Sequence, residues 1–111
     1  MVKVIFLMKF REDLDPEEVR RWWRNDHGAL ALRNMGMRRY VQNHFKGPVD
    51  EEYALGGMDF DGFSESWYAD EGVYKEAMGS AEWADLGADG DNLFDMSLFE
   101  SAIVEERVLK G

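Results

Sequence analysis

The chain has 111 residues, 45% hydrophobic and 14% aromatic, with 23 acidic against 13 basic side chains and a formal net charge of −10. That length gives one domain over residues 1–111 with one core, and the charge makes nucleic acid and anionic membranes poor partners. The absence of cysteine excludes disulfides, thiolate-bound metals and thiol nucleophiles, and neither a leader pattern nor a bilayer-spanning segment is visible, which predicts a cytoplasmic protein.

Val2 to Phe10 (VKVIFLMKF) predicts a first strand whose Val2, Val4, Phe6, Met8 and Phe10 make one fully apolar face, while Ile5 and Leu7 make the other partly so. Asp15-Pro16-Glu17-Glu18 supplies an N-cap, a proline at the first helical position and early acids, the pattern of a helix start. The helix is predicted to run to about Asn34, with His27 on the same arc as Val19, Trp22, Trp23 and Leu30. Gly36 ends it, and Met37 to Phe45 (MRRYVQNHF) alternates so that Tyr40, Gln42 and His44 share one strand face.

Gly47 to Met58, with its proline, glycines and acids, reads as the one long loop, either a lid or a plain solvated connection. Phe60 to Tyr68 predicts a third strand, with Phe63, Glu65 and Trp67 on one side and Gly62, Ser64, Ser66 and Tyr68 on the other. A helix begins over Val73 to Met78, Ser80 caps another short one through Leu86, and Gly87 to Asp91 is expected to break it. Ser101 to Leu109 alternates as a closing strand.

Strand, helix, strand, strand, helix, strand is the order of the ferredoxin-like α+β unit, in which both helices cover one face of a four-stranded antiparallel sheet. The other face also carries apolar side chains, and a second copy of the chain is the simplest cover for it, so a homodimer is expected.

Trp23 with His27-Gly28, the run Gly36 to His44, Phe60-Asp61-Gly62 with Glu65 and Trp67, and Asp91 to Asp95 before a strand with Glu105-Glu106 together resemble the EthD family, over nearly the whole chain. The resemblance implies the dimeric α+β barrel superfamily, in which two ferredoxin-like sheets close into a barrel with helices outside. Its members include methylmuconolactone isomerases, polyketide cyclases, some hydroxynitrile lyases, and haem-using or cofactor-free oxygenases. It settles the fold better than the reaction, because the chemistry of EthD proteins is poorly defined.

His27, pointing between helix and sheet, is the principal candidate for proton transfer, since a neutral imidazole exchanges protons near neutral pH. The bland alternative is a core histidine bonded to a backbone carbonyl or a tyrosine, and the resemblance to isomerases that use a helix histidine favours the catalytic reading. Tyr40, Gln42 and His44 offer donors to an oxygen developing negative charge, although His44 lies near a strand end and is equally a rim residue. Glu65, between Phe63 and Trp67, either has a raised pKa and handles protons or pairs with Arg38, Arg39 or a first-strand lysine. Trp22, Trp23, Trp67 and Trp83 are first of all core mass, and two of them, with Trp23 and Trp67 foremost, could wall an aromatic substrate pocket.

Asp61 reads as a turn or bulge residue, and Asp85 to Asp95 fails the calcium-loop template because Gly87 and Met96 stand at ligand positions. Zinc spacings, phosphate loops and a G-x-S-x-G elbow are all missing. The expectation is therefore a cofactor-free acid–base enzyme, an isomerase, cyclase, dehydratase or lyase, acting on a small cyclic or aromatic carbonyl compound. His27 would move the proton, Tyr40 would hold the oxygen, and Glu65 or His44 would serve as a second proton-handling group. Two alternatives stand beside it: a haem-binding or cofactor-free monooxygenase of the same superfamily, and a non-catalytic ligand-binding accessory protein.

Overall fold

The structure is a computed structural model that describes residues 1–47 and 60–111. The expected loop over 47–58 lies outside the described residues except for Gly47. Strand β1 is Val2–Met8, β2 Met37–His44, β3 Gly62–Tyr68 and β4 Glu100–Val104, joined in the order β2-β3-β1-β4 with each neighbouring pair antiparallel. The two apolar faces of β1 put it inside the sheet, between β3 and β4, where both of its edges are paired. With helices on one face only, this is the ferredoxin-like α+β architecture.

The first helical stretch begins at Pro16, where the carboxylate of Asp15 accepts the Glu18 N–H at 3.3 Å. It is α-helical over Pro16–Trp22 (α1), widens into a π-helical turn over Trp23–His27, and returns to α over Gly28–Ala31 (α2). The arc turned to the sheet is Val19, Trp23, His27 and Ala31, all buried, whereas Trp22 sits at the margin, 36% exposed. Gly36 makes the turn into β2 at φ 83°, a conformation that L side chains rarely adopt.

Trp23 is the centre of one core cluster, with Met8, Phe10, Val19, Leu93 and Phe94 around it, and its depth depends on Gly62. A Cβ on Gly62 would come within 2.8 Å of the indole ring, so the bare strand residue is what lets the helix settle onto the sheet. The second cluster joins Val4, Tyr68, Tyr74 and Ala77 beneath α3, Glu71–Met78, which is capped by the Asp70 carboxylate.

Helix α4 departs from the sequence expectation. Ser80 caps it as expected, but it runs unbroken over Ala81–Leu93, through Gly87 and Gly90. Trp83, Leu86, Gly90 and Leu93 fall at helical spacing on its inner side, and the packing gained along that line outweighs the roughly 1 kcal/mol that each glycine costs a helix. Strand β4 is shorter than expected: it spans Glu100–Val104 and its ladder with β1 ends at Val104, opposite Lys3.

On the face away from the helices lie Lys3, Ile5, Leu7, Arg39, Val41, Asn43, Phe63, Glu65 and Trp67, in register across β1, β3 and β2. Ile5, Leu7, Val41 and Phe63 are half-buried there, with no layer above them among the described residues.

Candidate active site

Between the helices and the sheet lies a cavity of about 150 Å³. Its apolar wall comes from Phe6 and Met8 of β1, Trp83 and Leu86 of α4, and Phe94 and Phe99 beyond it, and its polar lining from His27, Asn34, Tyr40, Ser64 and Ser66. Among the described residues that line it, none carries a carboxylate, an ammonium or a guanidinium.

His27 ends the π-helical turn, 5% exposed, with its ring edge-on to Phe94 at 5.3 Å between centroids. Its Nδ1 is 2.8 Å from Oδ2 of Asp89, on α4, whose Oδ1 accepts the indole N–H of Trp22 at 3.2 Å. A carboxylate can only accept, so Nδ1 carries the proton and Nε2 presents its lone pair. Nε2 has no hydrogen-bond partner among the described residues. Burial pushes the imidazolium form of His27 below its usual pKa, and Asp89 only partly restores it, so the ring is a neutral base at pH 7. A histidine oriented by a carboxylate behind it is the general-base half of a catalytic triad, without the nucleophile. Asp89 was missed in the sequence because the two glycines around it suggested a broken helix.

Across the cavity, Tyr40, Gln42 and His44 share the helix-facing side of β2. The Gln42 amide donates to the Trp23 carbonyl at 2.8 Å and to the Tyr40 hydroxyl at 3.2 Å, and its Oε1 accepts from His44 Nε2 at 2.8 Å. Gly28 makes the first contact possible, since a Cβ there would crowd both Gln42 Nε2 and the Trp23 carbonyl at 3.3 Å. The Trp23 indole N–H approaches the Tyr40 hydroxyl without reaching full hydrogen-bond geometry. Burial raises the Tyr40 pKa and these donors only partly offset it, so the phenol keeps its proton. With donors already on its oxygen, that proton is left to give to another acceptor.

Only His27 and Tyr40 of the seven sequence-derived candidates line the cavity. Gln42 buttresses Tyr40 and the π turn, and Trp23 is fully buried beside the cavity as core mass. His44 stacks on Trp23 at 4.1 Å between centroids and gives its Nε2 to Gln42, so it braces the strand rather than facing the cavity. Burial, with Arg20 and Arg24 nearby, pushes its pKa down.

Glu65 and Trp67 are corrections: they lie on the opposite face of the sheet from His27. Glu65 pairs with Lys3 and accepts from Asn43 at 2.8 Å, while Lys3 and Arg39 sit at 5.0 and 4.8 Å from the Trp67 ring. Burial would raise the Glu65 pKa, but Lys3 and Asn43 outweigh it, leaving the group below the usual range and ionised, as the salt-bridge alternative requires.

Among the described residues no three acidic or histidine side chains cluster to hold a metal. His27 Nε2 is free among the described residues, but a cavity of about 150 Å³ takes one benzene-sized ring, much less than a haem. The cavity does not fit that group. No helix among the described residues is long and apolar enough to cross a membrane.

A helix-covered antiparallel sheet with a histidine-lined cavity between its layers defines a ferredoxin-like α+β protein with an interlayer site. The EthD domain model matches residues 11–97, and the chain belongs to the EthD family. Among solved structures, an EthD family protein from Bacillus halodurans is similar with a TM-score of 0.77 and 24% identity, over 96% of this chain and 99% of that one. SnoaB of Streptomyces nogalater, described as a cofactor-independent oxygenase, is similar at TM-score 0.66 and 12% identity, over 96% and 93%. A dimeric ferredoxin-like protein of unknown function from Bacteroides fragilis is similar at TM-score 0.62 and 18% identity, over 93% and 91%. No curated protein matches the sequence significantly.

Proposed function

We propose that the protein is a cofactor-independent acid–base enzyme acting on a small cyclic or aromatic carbonyl compound, with His27 as the proton-transfer residue. The observation that carries this reading is the 2.8 Å contact of His27 Nδ1 with Asp89, which leaves Nε2 unpaired on the wall of an apolar cavity. In this mechanism Nε2 removes a proton beside the carbonyl and the Tyr40 hydroxyl donates to the oxygen as negative charge builds there. The imidazolium, steadied by Asp89, then returns the proton at a second position. Isomerisation, dehydration, cyclisation and its lyase reverse all use these steps.

The test is deuterium incorporation by NMR into a panel of cyclic 1,3-diketones, phenolic ketones and lactones in D2O. His27→Ala and Tyr40→Phe are each expected to cost at least about a hundredfold while circular dichroism stays native. Losses below tenfold in both variants would remove the assignment. Oxygen uptake on the same panel checks the second reading, a cofactor-independent oxygenase, which draws support from the shared fold of SnoaB and from a base able to ionise a phenol ahead of its reaction with dioxygen.

We also infer a homodimer formed through the outer sheet face. Support comes from the uncovered Ile5, Leu7, Val41 and Phe63, and from the relative described as dimeric.

A further inference from the structure

Ser64 and Ser66 stand on β3 where strand residues facing a core are ordinarily branched and apolar. They are 2% and 4% exposed, both line the cavity, and neither hydroxyl makes a hydrogen bond among the described residues. Neither oxygen is fully enclosed, so both reach the cavity surface and exchange hydrogen bonds with whatever fills it, water or ligand. The register sets Ser66 directly opposite Tyr40, and Ser64 opposite Gln42. Tyr40 and Ser66 therefore have Cβ atoms only about 5 Å apart, with Ser64 two residues along the same face, about 6.7 Å from Ser66. The floor of the cavity carries the two serine hydroxyls beside Tyr40, and its walls are aromatic and aliphatic.

From this floor we infer that Ser64 and Ser66 are ligand-binding residues that select an uncharged, single-ring molecule carrying at least two oxygen substituents along one edge. The inference takes from the proposed function only that this cavity is the ligand site. Size sets the single ring, because about 150 Å³ is the room one benzene-sized ring takes. Charge sets neutrality: the described lining has no cation to receive a carboxylate or phosphate, and desolvating such a group there has no compensation. The paired oxygens follow from two hydroxyls on one strand face, each able to donate or accept.

Isothermal titration with phenol, resorcinol and benzoate tests this. Resorcinol is expected to bind at least about fivefold more tightly than phenol, the return on one neutral hydrogen bond, and benzoate not at all. Ser64→Ala and Ser66→Ala should each bring resorcinol down to the phenol affinity, and Ser66→Thr should retain part of the preference. Both alanine variants remove one atom without adding volume, and unchanged melting curves show that the fold is kept. Equal binding of phenol and resorcinol, a preference that survives in the double alanine variant, tighter binding of benzoate, or no binding of any probe would each overturn the inference. His27→Ala separates it from the proposed function: loss of proton exchange with the preference intact supports both, persistent exchange with the preference intact removes the catalytic reading alone, and loss of exchange in His27→Ala together with equal binding of phenol and resorcinol by the native protein removes this one alone.

Discussion

At the scale of single residues, the site turns on which nitrogen of His27 is available, and Asp89 decides it. Replacing Asp89 by Asn keeps the shape, but the amide can present its N–H to Nδ1 and so favours the tautomer with Nε2 protonated, which is the wrong one for a base. Asp89→Asn is expected to lower turnover by about 10²- to 10⁴-fold with little effect on binding, read from kcat and KM separately. Trp22→Phe frees only one oxygen of Asp89 and should cost far less. The pH dependence follows from the burial of His27. Its folded pKa lies below 6.5, so activity should rise with pH through a midpoint under 6.5 and stay level above it. Stability takes the same direction: between the folded pKa and 6.5 the unfolded chain binds more protons, so this histidine makes the fold lose stability as pH falls through that window. Thermal melts of native protein and His27→Gln over pH 4–8 check this, and a native curve with no steeper acid loss than the variant would contradict it. His27 was legible in the sequence because a helical arc needs nothing beyond the 3.6-residue period. Asp89 was not, because its role depends on contact with another helix, which local spacing does not report.

At the scale of elements, glycines decide how closely the layers meet, and they do so in opposite ways. Gly62 has no room for a side chain: its Cβ would press on Trp23 at 2.8 Å, and Trp23 is fully enclosed and cannot retreat. Gly62→Ala should therefore destabilise by about 1–3 kcal/mol, the usual cost of overpacking, and displace the π turn that carries His27, so that activity falls with stability. Gly87 is exposed, and a Cβ there meets nothing within 4 Å. Gly87→Ala should stabilise α4 by about 0.5–1 kcal/mol, measured by urea unfolding, because only the helix propensity changes. The expected break over Gly87 to Asp91 thus failed for a physical reason: glycine weakens a helix by an amount that one good packing face overrides. The π-helical turn at Trp23–His27 was equally hidden, since it is held by Gln42 reaching the Trp23 carbonyl from another strand.

At the scale of the whole molecule, the order of elements and the two-sided apolar character of β1 were readable from alternation alone, and so was the uncovered sheet face. What alternation could not give was the sign of Glu65: it depends on Lys3, which lies one strand away and more than sixty residues earlier in the chain. That same face carries the dimer prediction. Its apolar patch of Ile5, Leu7, Val41 and Phe63 is bordered by Lys3, Glu65, Glu106 and Arg39, charges that are already paired or stacked within one protomer. A second sheet can therefore cover the patch without stranding those charges. Val41 lies directly opposite Glu65 on β3, so Val41→Lys gives the new ammonium a carboxylate neighbour within its own chain while putting charge into the contact. The monomer should keep its circular dichroism spectrum and much of its melting temperature. Sedimentation equilibrium should read twice the 12.9 kDa chain mass for the native protein and a single chain mass for the variant. A native protein that sediments as one chain, or a variant that stays paired, would place the contact elsewhere. Because the His27 cavity lies on the other side of the sheet, separating the protomers should leave proton exchange per chain within about threefold of native, as expected of distant sites that share no partners.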